Sequence, residues 1–215
     1  MAKILFISDL NFGCSSVLPV TDEHRLLTLE KICSIGVHHD LLLIGGNLFG
    51  TNNVADTTIS KISEQIELLG KENTEVCITA GNNELENCKK IEKSGLIILE
   101  HETAYKSKSG LTIFGIQMES DQDLSLINPP RTDTPVIALI NTAASIKTGL
   151  KEIISAKNSS GIAFFAVGGN RDFKILRVSG KPAGAQCGSS EPLDRSCKGA
   201  RYAVSFEING QTPEK

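Results

Sequence analysis

Five apolar runs in this chain end in Asp, Asn or Gly: at Asp9-Leu-Asn11, Gly46-Asn47, Gly81-Asn82-Asn83-Glu84, Asn141 and Gly168-Gly169-Asn170-Arg171. Each junction alone reads as a turn, because Asn and Gly accept the backbone angles that turns need. Together they describe a shared edge. In open α/β sheets, ligands bind in the crevice outside the carboxyl ends of the strands. Carboxylate and amide oxygens placed there can hold a hard cation, with the carboxylates supplying the charge. Amide N–H groups placed there can hold a phosphate. The acids on offer are Asp9 and Glu84, with Asp172 just past the last junction, and none of His24, His38, His39 and His101 stands at one of these junctions.

The elements that must deliver these residues follow from periodicity. Ile4 to Ile7 is a continuous apolar run, the pattern of a strand buried on both faces. Thr21 is a candidate N-cap for a helix whose apolar face is Leu26, Leu27, Leu29, Ile32, Cys33 and Ile35, stopped by Gly36. Asp40–Asn47 holds a second buried strand. Asp56 to Leu69 carries Ile59, Ile62, Ile66 and Leu69 at helical spacing, with Gly70 expected just past the helix end. Further strands are predicted at 75–80, 95–99, 103–106, 111–117, 135–141, 161–167, 174–178 and 202–208, with helices at 84–93 and 149–156. Alternating strands and helices in the first half predict a parallel sheet, and hairpins in the second half predict antiparallel strands.

Composition narrows the function classes. The chain has 215 residues, 40% hydrophobic and 22% charged, and suits one α/β domain. The net charge of −3 argues against strong non-specific affinity for nucleic acid, which comes from neutralising phosphates. Between Arg171 and Arg201 basic residues outnumber acidic ones, and this 171–201 segment is the surface through which nucleic acid could bind. The six cysteines form no CxxC pair, the leading apolar run is too short for a signal peptide, and no run approaches a membrane span. A cytoplasmic protein with reduced thiols is expected, without membrane partners. Cys77 reads as core. Cys14 could be exposed near the crevice, but no His stands in a motif to activate it.

In order, "KILFISDLNFG", "HHDLLLIGGNLFG", "CITAGNNE", "VIALINTA" and "FFAVGGNRDF" resemble the blocks of the calcineurin-like metallophosphoesterases. Those blocks run Asp-x-His, Gly-Asp-x-x-Asp, Gly-Asn-His-Asp/Glu, a lone His, and Gly-His-x-His. The resemblance spans roughly Lys3 to Ile208. The tail "CGSSEPLDRSCKGARYAVSFEI" is similar to the segment after the last block in DNA-repair exonuclease subunits of the SbcD type. It implies a four-layer α/β/β/α sandwich of two mixed sheets flanked by helices. The expected layout is a single domain over 1–209 and a short tail at 210–215, without the capping and ATPase-docking regions of such nucleases.

The resemblance also implies a binuclear metal site, and here the sequence departs from it. Two-metal hydrolysis needs cations about 3.5–4 Å apart held by carboxylates and imidazoles. Carried over block by block, Asp9 and Asn82 keep ligand-type side chains. Asn11, Asn47 and Asn141 stand where ligands are expected, Asn83 where the catalytic His is expected, and Gly169 and Arg171 where the final His pair is expected. An Asn carbonyl is a neutral oxygen and cannot balance two divalent charges at such close range. The reading is a non-catalytic phosphoesterase-like protein without a cofactor, its crevice lined by Asn11, Asn47, Asn82, Asn83, Asn141 and Arg171. Its expected partner is a protein or a phosphate-containing ligand. Two alternatives stand: a residual phosphoesterase with one weak Mg²⁺ or Mn²⁺ on Asp9, Asn82 and Glu84 (Asp172 being a further candidate ligand), or a structural subunit of a DNA-processing complex. An Arg171–Asp9 ion pair in place of the metals is a further expectation.

Overall fold

The computed structural model describes residues 1–15, 20–118, 128–142, 161–169, 173–178, 181–188, 190 and 203–209. The first apolar run forms β1 (Ala2–Ile7), followed by α1 (Asp22–Gly36), β2 (Leu41–Ile44), α2 (Asp56–Lys71), β3 (Glu75–Thr79) and α3 (Leu85–Ile91). A 3₁₀ turn (Glu92–Ser94) leads to β4 (Leu96–Leu99), β5 (Thr103–Lys106), β6 (Thr112–Met118), β7 (Val136–Thr142) and β8 (Ile162–Gly168). The described elements close with β9 (Lys174–Val178), β10 (Lys181–Gln186) and β11 (Val204–Ile208). The helix expected at 149–156 lies outside the described residues.

The strands form two mixed sheets, ordered β11-β1-β2-β3-β4 and β5-β6-β7-β8-β10-β9. Helical crossovers make β1 to β4 parallel. In the second sheet the antiparallel expectation holds only at the edges, β5 on β6 and β9 on β10. The strands β6, β7, β8 and β10 are parallel. The connections from β6 to β7 and from β7 to β8 are long enough for crossovers, which hairpin reasoning overlooks.

Alternation along the strands builds the layers. Leu5, Ile7, Leu42, Ile44, Val76 and Ile78 face α1, α2 and α3, which contribute Leu29, Ile32, Ile62, Ile66, Leu69 and Cys88. Ile4, Phe6, Leu41, Leu43 and Cys77 meet Ile113, Ile137, Leu139 and Ala166 of the opposite sheet, together with Leu111 just before β6. The result is the expected α/β sandwich of two mixed sheets. Cys77 is core, and burial pushes its thiol far above the usual range.

Several local expectations are corrected. Leu27 and Ile35 are exposed, and it is Arg25 that α1 buries, its guanidinium meeting Asp22 at 2.7 Å and donating to the Cys14 carbonyl at 3.0 Å. Gly70 lies within α2, which runs to Lys71, and Asn73 takes the left-handed conformation instead (φ 67°). The sequence reading missed β10, Lys181-Pro-Ala-Gly-Ala-Gln186, because Pro and Gly read as punctuation. Gly184 is there for space: a Cβ would meet the Phe165 carbonyl oxygen at 2.4 Å.

Candidate functional site

Parallel registers bring the polar ends together. Ile7, Ile44 and Ile78 pair across the first sheet, so Ser8-Asp9, Gly45-Gly46-Asn47 and Thr79-Ala80-Gly81 leave it side by side. In the second sheet Gln117, Asn141 and Gly168 are paired neighbours. The expected convergence of β1, β2, β3, β7 and β8 ends is therefore present.

Asp9 sits at its centre, buried, with φ 58°. Its Oδ1 accepts the Asn47 Nδ2 at 2.6 Å. Its Oδ2 accepts the Ser8 hydroxyl and the Gly169 N–H, the latter at 3.1 Å. Burial raises the Asp9 pKa, and the hydrogen bonds from Ser8, Asn47 and Gly169 oppose that rise. Asn11, also left-handed at φ 58°, folds its amide back onto the Asp9 carbonyl at 2.9 Å. Its N–H donates to the Asn47 carbonyl at 2.8 Å. Asx side chains tolerate this backbone region better than other non-Gly residues.

Glu84 is the second acid, and it is fully buried. Its Oε1 accepts the N–H groups of Asn47 at 2.8 Å and Gly81 at 2.9 Å, and its Oε2 that of Phe49 at 3.1 Å. The Leu48 N–H also reaches it. Gly46 and Asn47 are both left-handed (φ 89° and 53°), and the turn aims successive N–H groups at one anion. Burial pushes the Glu84 pKa up to about 7, with the N–H donors of Gly81, Phe49, Asn47 and Leu48 pulling the other way.

The two sheets meet at this end. Asn141 is buried and donates to the Thr79 carbonyl at 3.0 Å; the Thr79 hydroxyl donates to the Leu139 carbonyl at 3.1 Å. Gln117 Nε2 donates to the Ala80 carbonyl. Gly45 and Gly168 pass so closely that a Cβ on Gly168 would lie 2.0 Å from the Gly45 oxygen. The sequence reading missed Thr79 and Gln117. Their signal is a polar residue ending an otherwise apolar strand.

The predicted residues thus divide. Asp9, Asn11, Asn47 and Gly169 are in direct contact, and Asn141 lies against Gly46 and Gly81. Asn82 and Asn83, by contrast, are exposed turn residues. Cys14 is half-buried, with its sulfur over Gly50. Arg171 and Asp172, and with them the expected Arg171–Asp9 pair, lie outside the described residues, as does most of the 171–201 segment.

Among the described residues, the side chains gathered here do not supply the carboxylate and imidazole set that a pair of metals needs. The lone pairs of Glu84 are turned onto backbone N–H groups, and both Asp9 oxygens accept protein donors. At Gly169 a Cβ would stand 1.7 Å from the Thr142 oxygen, so no imidazole can start from there without moving the backbone. Among the described residues, no three His, Cys, Asp or Glu side chains cluster as a metal site would need. No described helix is long and apolar enough to cross a membrane.

No family model matches the chain, and no curated protein matches it. Among solved structures it is similar to the nuclease MPE of Pseudomonas putida, at 16% identity and a TM-score of 0.39. That match covers 63% of this chain and 59% of the nuclease chain.

Proposed function

We propose that this chain is a phosphoesterase-like domain that acts by binding rather than by two-metal hydrolysis. One observation carries the reading: both acids at the strand ends, Asp9 and Glu84, have their oxygens engaged by protein donors. A hydrolytic centre needs those lone pairs on cations that activate water. Removing them from that role leaves the fold without its nucleophile.

The ligand we propose is a phosphate-containing molecule or a partner protein, met at the strand-end rim. Asn82 and Asn83 are exposed there and offer amide donors and acceptors. Membership of the DNA-repair exonuclease branch and a cytoplasmic setting are part of the same proposal. The alternative with one cation on Asp9, Asn82 and Glu84 finds less support, since Asn82 faces solvent while Glu84 is buried.

The test is hydrolysis of a generic phosphodiester with added Mn²⁺, in wild type and in Asp9→Ala. Equal background rates support the proposal. A wild-type rate that depends on both Mn²⁺ and Asp9 overturns it.

A further inference from the structure

The sequence resemblance places ligands for shared cations on both sheets: Asp9, Asn47 and Asn82 follow strands of the first, while Asn141 lies near the end of β7 and Gly169 follows β8 in the second. In the structure four of these positions, Asp9, Asn47, Asn141 and Gly169, are held by direct protein hydrogen bonds. The Asp9 carboxylate takes the side-chain amide of Asn47 from its own sheet and the backbone N–H of Gly169 from the other. Asn141 crosses from β7 to the Thr79 carbonyl of β3. Ser8, the residue before Asp9, accepts the Ser190 N–H at 2.9 Å, which ties in the segment after β10.

Space is closed as well as charge. Substituted onto Gly46, a Cβ would fall 2.1 Å from Asn141 Nδ2, and on Gly169 it would fall 1.7 Å from the Thr142 oxygen. Gly45 and Gly168 bring backbone against backbone between the sheets.

We infer that the strand-end cluster is a metal-free latch, in which Asp9 is a positioning residue that locks the β1 and β2 exits of one sheet to the β8 exit of the other. The inference rests on the proposed loss of two-metal chemistry. It goes further by giving the cluster a mechanical role and by stating that returning one ligand does not return a metal.

The experiment uses the full chain with Mn²⁺ alone as probe. Wild type and Asn47→Asp are titrated by calorimetry and melted with and without Mn²⁺. Asn47→Asp puts a carboxylate back opposite Asp9, where in a latch it only repels. The latch predicts a lower melting temperature for Asn47→Asp, not restored by Mn²⁺, and no binding heat in either protein. A Mn²⁺-dependent rise confined to Asn47→Asp overturns the latch and leaves the proposed function standing. Mn²⁺ binding at a pair of sites in the wild type overturns both. Should Asn47→Asp fail to fold, amide exchange in the wild type still decides. The latch predicts that the Gly169 N–H exchanges at least about tenfold more slowly than an open amide, and an unprotected Gly169 overturns it.

Discussion

Glu84 holds Asn47: the carboxylate that follows the third strand accepts the N–H of the turn that follows the second, at 2.8 Å. The same carboxylate takes the N–H groups of Gly81 and Phe49 at 2.9 and 3.1 Å. A buried acid therefore fixes the turn whose side chain, Asn47 Nδ2, in turn holds Asp9 at 2.6 Å. The strand-end cluster is a chain of dependencies that begins at Glu84.

Glu84→Ala should lower stability by about 3 kcal/mol or more, because several buried N–H donors lose their acceptor at once. Glu84→Gln keeps the shape but turns an amide donor toward N–H groups, and should recover only part of the loss. Urea unfolding of the three proteins measures this, and equal midpoints would contradict the role given to Glu84.

The pH dependence has a definite sign. Burial raises the folded-state pKa of Glu84 from 4.5 to about 7. The folded protein then binds the proton more tightly than the unfolded chain does. This contribution is fully present below about pH 4.5 and is lost as pH rises through about 7, a change on the order of 3 kcal/mol. Asp9, also raised, acts in the same direction. Unfolding free energy measured from pH 5 to 8 should fall with pH in the wild type and fall less in Glu84→Gln.

Two glycines should respond in opposite ways to Ala. Gly169→Ala forces a left-handed Cβ (φ 77°) against the Thr142 oxygen and should cost on the order of 3 kcal/mol or more. Gly70 lies inside α2, where a Cβ would meet nothing within 4 Å. Gly70→Ala should therefore gain roughly 0.5–1 kcal/mol. Thermal melting of both variants checks the pair, and a stabilised Gly169→Ala would refute the close contact.

Much of the scaffold could be read from the chain. Continuous apolar runs identified β1, β2, β3, β7 and β8, and the stripe Ile59, Ile62, Ile66, Leu69 identified α2, because burial on both strand faces or on one helix face dictates residue type directly. Leu27 and Ile35 misled, since helical spacing does not reveal how wide a stripe the sheet will cover. Parallel pairing in the second sheet depended on crossover length rather than on any local signal.

The site was legible in position but not in function. Asn and Asp at strand ends marked where the backbone would turn, and Asp9, Asn11 and Asn47 do turn there with positive φ. The fate of each lone pair depends on neighbours far away in sequence, as with Gly169 and Asp9. Glu84 had one local signal, its place three residues after Gly81, whose N–H it accepts across the turn. The closure at Gly169 is set by a carbonyl on another strand, and nothing near Gly169 in sequence announces it.

Asp9 and its neighbours are proposed to bind each other and not a pair of cations. Metal analysis of the purified chain, incubated with Mn²⁺ and then passed through a desalting column, tests it most directly. No stoichiometric Mn²⁺ is expected in the protein fraction. A pair of Mn²⁺ ions retained per chain, and lost in Asp9→Ala, would contradict it.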